Sequence, residues 1–386
     1  MEQRSSEWDD LFELDPPHYG RDDHYLPIEN EYHPFNSSAE EKCTKLFLHD
    51  DFITQKDSDH HHQRVMKKFR EKMLWGKKGR RIKPFVMNFE LVHSLGEAGV
   101  DTCSPQHFSL PFDVKISYKC QVILISDLKN HRIQVFHLLS NEYITSIPSP
   151  SKCPRYLYVE ADYDGLNDAL LFGCTNRPSV FKYDLNDILE LSMNSISKVA
   201  NSYIWKSTLF KQPQGIAVCQ NRVYVADSYN QCLKVLDSCS GKLLSTIQVE
   251  SSPYGVCFSP DYQVLYVGAH QSLIQAPTFK IESTHTIFVF QKSEKSQWEF
   301  KEKFGHVGPL DGALHFPDSF IIDYLTKHFI VSDSHNHRIV IYSPQNELFK
   351  SFSNGQLNNP KGICLNELTG ELIVCDHENH RIMFFK

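Results

Sequence analysis

Asp333, Asn336, His337 and Arg338 fall within the six residues "DSHNHR", between two apolar runs. A carboxylate, an amide, an imidazole and a guanidinium this close have three chemical readings. They can supply metal ligands, form an acid–base cluster, or satisfy backbone donors in a tight connection. A metal site needs three or four ligands converging within a few ångströms. A turn needs only two strands to join.

Recurrence favours the turn. The pattern returns as Asp127 with Asn130 and His131, as Asp227 with Asn230, and as Asp376 with Asn379 and His380. Equivalent residues of separate repeats are expected to lie apart, which argues against a shared metal. Asp and Asn are suited to satisfying backbone groups between strands, with Arg132, Arg338 and Arg381 as charge partners.

The elements around these residues repeat as well. A proline-led strand precedes each copy, starting at Pro111, Pro154, Pro213, Pro253, Pro317 and Pro360, at separations of 43, 59, 40, 64 and 43 residues. A period near forty with four short strands per unit predicts an all-β, six-bladed β-propeller. In the last unit "KGICLNE", "GELIVCD" and "RIMFFK" read as strands a, b and c. Strands b and c are nearly continuous apolar runs, as sheets covered on both faces require. The missing fourth strand matches "NFELVHSLG" at 88–96. An N-terminal strand is therefore expected to complete the last blade and remove its open edge.

Asn130-His131-Arg132-Ile133, Asn336-His337-Arg338-Ile339 and Asn379-His380-Arg381-Ile382 resemble the signature of NHL-repeat propellers, across about residues 84–386. Asn230-Gln231-Cys232-Leu233 matches in part. The units beginning at Pro154 and Pro253 depart, with Cys174 and Ala269 where the acid stands elsewhere. Proteins similar to this one often carry a RING and B-box zinc region and act in ubiquitin transfer. Here only Cys43 precedes the propeller, so a ligase would have to come from another chain.

Positions that stay the same from blade to blade serve the blade, whereas positions that differ make one part of the ring unlike another. The differing set on the b–c and d–a loops includes Lys129, Arg155, Tyr229, Tyr254, His335 and Lys361. We read these as the binding face of a non-catalytic protein-interaction scaffold. The same residue types suit phosphate contact and base stacking, so single-stranded RNA is the alternative partner. A metal-dependent propeller hydrolase or lyase is the third reading, disfavoured because strand a offers mainly Val, Ile, Cys and Leu. Neither a cofactor nor a catalytic residue is expected; no G-x-S-x-G, H-E-x-x-H or Walker A motif occurs.

Charge divides the chain into three. Residues 1–61 hold 16 acids against 5 bases and read as a disordered acidic leader. Residues 62–83 form a basic segment: positions 64–83 carry 10 bases and one acid, with Val65, Met66, Phe69, Met73 and Leu74 at helical spacing. Such a segment can meet an acidic surface, and Lys77–Arg81 can serve as a nuclear address. Residues 84–386 form the propeller. The absence of an 18-residue apolar run, together with 11 cysteines lacking paired spacing, fits a monomeric cytoplasmic protein with reduced thiols.

Overall fold

Alternate faces of each strand pair are apolar, so every sheet must bury both sides, and a ring of sheets does this without leaving a core edge. The computed structural model describes residues 82–97, 105, 107–270, 285–294, 296–307, 313–353 and 355–386. The acidic leader and almost all of the basic segment, including Lys77–Arg81, lie outside the described residues.

Six four-stranded antiparallel sheets follow one another. Blade one contains Pro111–Ser117, Val122–Asp127, Arg132–His137 and Tyr143–Pro148 as strands a to d. Blade two contains Pro154–Glu160, Ala169–Cys174, Ser179–Asp184 and Trp205–Ser207. Blade three contains Pro213–Cys219, Arg222–Asp227, Cys232–Asp237 and Leu243–Gln248. Blade four contains Ser252–Phe258, Val264–His270, His285–Lys292 and Trp298–Phe304. Blade five contains Pro317–Ile322, Phe329–Asp333, Arg338–Tyr342 and Leu348–Phe352. Blade six takes Pro360–Asn366, Glu371–Asp376 and Arg381–Phe385 from the end of the sequence and Leu91–Leu95 from near its start.

The closing strand pairs antiparallel with strand c of blade six, Leu91 opposite Phe385 and Leu95 opposite Ile382. Glu90 and Lys386 extend the ladder by exchanging backbone hydrogen bonds of 3.0 and 2.9 Å. The expected N-terminal closure is therefore the observed one. Strand a of each blade touches strand a of the next, and blade six touches blade one, so the ring is complete.

Hydrophobic packing is organised by joint. Leu124 packs with Phe172 between blades one and two, Leu171 with Val225 between two and three, and Val235 with Val267 between three and four. Ile287 packs with Val331 between four and five, Ile341 with Val374 between five and six, and Ile382 with Ile123 at the closing joint. These side chains are almost entirely buried, and each contributes on the order of 1.5–3 kcal/mol on leaving water. Phe85, Met87 and Phe89 add to the joint between blades five and six, fixing the chain just ahead of the closing strand.

The long spacing of blade two has a specific cause. A helix, Leu185–Asn194, separates strands c and d; Asp184 caps it by accepting from the Asp187 amide at 3.1 Å. Its Leu185 and Ile188 fill the joint with blade one. Among the described residues, no helix is long and apolar enough to cross a membrane.

Candidate functional site

Antiparallel blades place the b–c turns and the starts of strand a at one end of the ring. In blades one, three, five and six the turn is built around a carboxylate with no exposure. One oxygen of Asp127, Asp227, Asp333 and Asp376 accepts a backbone amide from the segment leading into strand a: Ser109 at 2.7 Å, Gln212 at 2.9 Å, His315 at 2.5 Å and Asn358 at 2.7 Å. The other accepts from the Asn amide, Asn130, Asn230, Asn336 or Asn379, at 2.9, 2.6, 2.8 and 2.9 Å.

The same oxygen also meets a cation. Arg132, Arg338 and Arg381 donate Nε at 2.8, 2.7 and 2.7 Å. Blade three has Cys232 at the arginine position, and Lys234, two residues on, brings its ammonium to 2.9 Å from Asp227. A buried carboxylate needs such partners. Among the described residues no three His, Cys, Asp or Glu side chains are grouped to hold a metal ion.

The histidine of the signature has a separate role that sequence reasoning did not assign. His131, His337 and His380 sit in the left-handed backbone region, at φ of 56°, 51° and 56°. From there each Nδ1 accepts the amide of the residue just before the next blade's leading proline. These amides belong to Cys153 at 3.2 Å, Asn359 at 2.9 Å and Leu110 at 3.1 Å. Blade four lacks the signature, yet His285 on its strand c accepts from Phe316, before Pro317, at 3.2 Å. Four of the six joints are thus strapped by an imidazole. At the third blade Gln231 takes the left-handed position, and Ser228 instead donates to the carbonyl of Pro253.

The residues following the six prolines are Phe112, Arg155, Gln214, Tyr254, Asp318 and Lys361, and contacts among them close this end of the axis. Lys361, read from sequence as a surface cation, is buried, and its ammonium lies 2.6 Å from Asp318. Tyr156 donates to the Asp318 carbonyl at 2.9 Å. Arg155 lies over the Phe112 ring at 5.1 Å and donates to Gln214 at 3.4 Å. The expectation that equivalent positions stay apart therefore fails here, because strand a is innermost and these residues sit beside the axis. Burial raises the Asp318 carboxyl, but Lys361 together with the hydrogen bonds to Lys361 and Ser334 outweighs it and holds the group below its ordinary range.

The remaining candidates divide by exposure. Tyr229 is 63% exposed and Lys129 is also exposed. Tyr254 is half-buried, with its ring 4.1 Å from that of His270. His335 is half-buried against Phe316, centroids 4.0 Å apart. Around Phe316, His270, His285, His315 and His335 form a chain of rings spaced 5.7, 4.9 and 4.9 Å. Burial lowers His270 to about 3 and His285 and His335 to about 4. Both ring nitrogens of His270 lack a hydrogen-bond partner. Burial pushes the Cys257 and Cys364 thiols up to about 12.

Comparison with known proteins agrees with this architecture. The NHL repeat family model matches residues 210–236 and 357–383, strands a to c of blades three and six. The pre-rRNA-processing protein crb3/ipi3 of Schizosaccharomyces pombe is 25% identical over 161 residues, 40% of this chain and 36% of that protein. The chain thus spans about a third of the length of that relative. A hydrazine synthase structure from Kuenenia stuttgartiensis has 13% identity and a TM-score of 0.52, covering 73% of this chain and 97% of its own. An auxiliary nutrient binding protein from Bacteroides thetaiotaomicron has 16% identity and a TM-score of 0.56, covering 79% and 78%. At these identities the two structures share a fold with this chain and nothing narrower.

Proposed function

We propose that this chain, which belongs to the NHL-repeat β-propellers, is a non-catalytic interaction module that holds a protein partner on its turn-bearing end. The observation that carries this reading is the division of labour at that end. Repeat-matched Asp, Asn, Arg and His side chains are consumed by internal bonds, while Tyr229 and Lys129, which differ between blades, stay exposed. A large exposed aromatic beside a rigid scaffold is a common interface anchor. In this proposal residues 1–61 and 62–83 are appendages to a body at 84–386. A ubiquitin ligase acting in trans is one setting for such a module.

A second reading, RNA binding, is favoured by the ribosomal-RNA-linked relative. It is weakened by Lys361, whose charge is committed to Asp318, and by the packing of the Tyr254 ring against His270. Affinity capture with the full chain and with Tyr229→Ala/Lys129→Glu tests the first reading: the double variant should lose the captured protein. Retention of the same protein by that variant refutes the assigned face. Filter binding of single-stranded RNA across a salt series separates the second reading, which demands affinity falling steeply with salt.

A further inference from the structure

The axis is closed at the turn-bearing end but open at the other. Gly215, Gly255 and Gly362 begin the constriction: a Cβ on Gly255 would come 2.7 Å from the Asp318 carbonyl, and one on Gly362 would collide with Asp113. Beyond them a cavity of about 520 Å³ reaches the a–b turns, where Pro260, Tyr324 and Glu367 line it. That volume lies in the range of small-molecule sites.

Its walls and its floor differ in chemistry. Tyr158, Phe258, Tyr262 and Phe320 line the sides with aromatic surface. Lys115 supplies a cation within, its side chain 23% exposed beside a nearly buried Asp113. The Lys115 ammonium donates to Asp113 Oδ1 at 2.6 Å and to the Val114 carbonyl at 3.0 Å. An ammonium carries three donors, so one remains. Asp113 is held in turn by the amides of Val114 and Leu157, at 2.9 and 2.8 Å, which fixes the pair in place. Burial works against the Lys115 charge, yet the Asp113 carboxylate outweighs it and keeps the group protonated.

We propose that this axial cavity binds a small, mostly apolar, ring-bearing molecule whose single acceptor oxygen takes the third hydrogen of Lys115. Aromatic walls supply contact area and stacking, and the Lys115 ammonium, held in place by Asp113, fixes orientation, the usual division within ligand pockets. The site opens at the end of the ring opposite the face assigned to a protein partner, and it stands independently of that reading.

The probe is 8-anilinonaphthalene-1-sulfonate, a ring-bearing anion, titrated into the full chain by fluorescence. One saturable site per chain is expected. 2-Naphthol and 2-naphthoate should displace it at least tenfold more effectively than naphthalene, which lacks an acceptor. Ile322→Trp, which fills the cavity near its open end, should abolish the site. Lys115→Met combined with Asp113→Asn should erase the preference for oxygen-bearing competitors while leaving no orphaned carboxylate. Circular dichroism and a thermal melt establish that each variant is folded. Absence of saturable binding overturns the proposal, as does undiminished binding in folded Ile322→Trp. If the double variant is folded and keeps the oxygen preference, the role of Lys115 is refuted. If it does not fold, the Ile322→Trp result alone decides.

Discussion

The Nδ1 atom of His380 accepts the amide of Leu110 at 3.1 Å, and this bond ties the sixth blade to the first across 270 positions of sequence. The same geometry joins His131 to Cys153 and His337 to Asn359, in both cases over 22 residues. An imidazole accepts at Nδ1 only when that nitrogen carries no proton. The signature histidine is therefore a joint between blades, while the acid and the arginine organise the turn within one.

His380→Ala should lower stability by about 1 kcal/mol, the usual net worth of such a bond. His337→Ala should cost a similar amount, because it serves an equivalent joint. Urea unfolding of each variant measures this; an unchanged midpoint in both would refute the joint role.

Asp333 has no exposure and anchors Arg338, itself 5% exposed, at 2.7 Å. Removing one partner of a buried pair strands the other charge, at a cost of about 3–5 kcal/mol. Asp333→Ala should thus be severely destabilising. Arg338→Met with Asp333→Asn should recover much of that loss, since no ion remains unpaired. Chemical unfolding of the two variants should rank them in that order.

Acid should weaken the ring through its buried histidines. His270, His285 and His335 are lowered by burial from 6.5 to about 3, 4 and 4, with Asp318 opposing the shift and Lys361 or neighbouring imidazoles adding to it. Below pH 6.5 the unfolded chain takes up protons that the folded chain does not accept until about pH 4. Stability must therefore fall as pH drops through that window. His270→Phe should reduce the slope and leave stability near neutral pH little changed, because neither ring nitrogen makes a bond to lose. Unfolding free energies measured between pH 7 and 5 provide the comparison.

Gly255→Ala should cost about 1–3 kcal/mol, the range for overpacking a tight interior. Its Cβ would meet the Asp318 carbonyl and the Phe320 ring at 2.7 and 2.8 Å. Thermal denaturation checks this. Gly165→Ala is a useful contrast, since a Cβ there meets nothing within 4 Å and any cost comes from its φ of +87°.

The ring and its closure were legible because both are written as repeats. Pro111 through Pro360 mark six strand starts, and the 88–96 stretch matches the missing strand pattern. The bonds of Asp333 with Asn336 and Arg338 were legible too, being local. What escaped was contact between repeats. Nothing near His337 in sequence points to Asn359, and His285 does the same job without the signature around it. Lys361 looks like any loop lysine until strand a is known to be innermost, where Asp318 of the preceding blade becomes its neighbour. The helix at Leu185–Asn194 was hidden within a spacing that showed only that something had been added.

Blade six draws its outer strand from Leu91–Leu95 and its other three from Pro360 onward. During synthesis the early strand, with Leu91 and Val92 largely open to solvent even when paired, leaves the ribosome long before Arg381–Phe385 exists. Five blades can form while it waits without a mate, so the ring locks only when its last strand has been made.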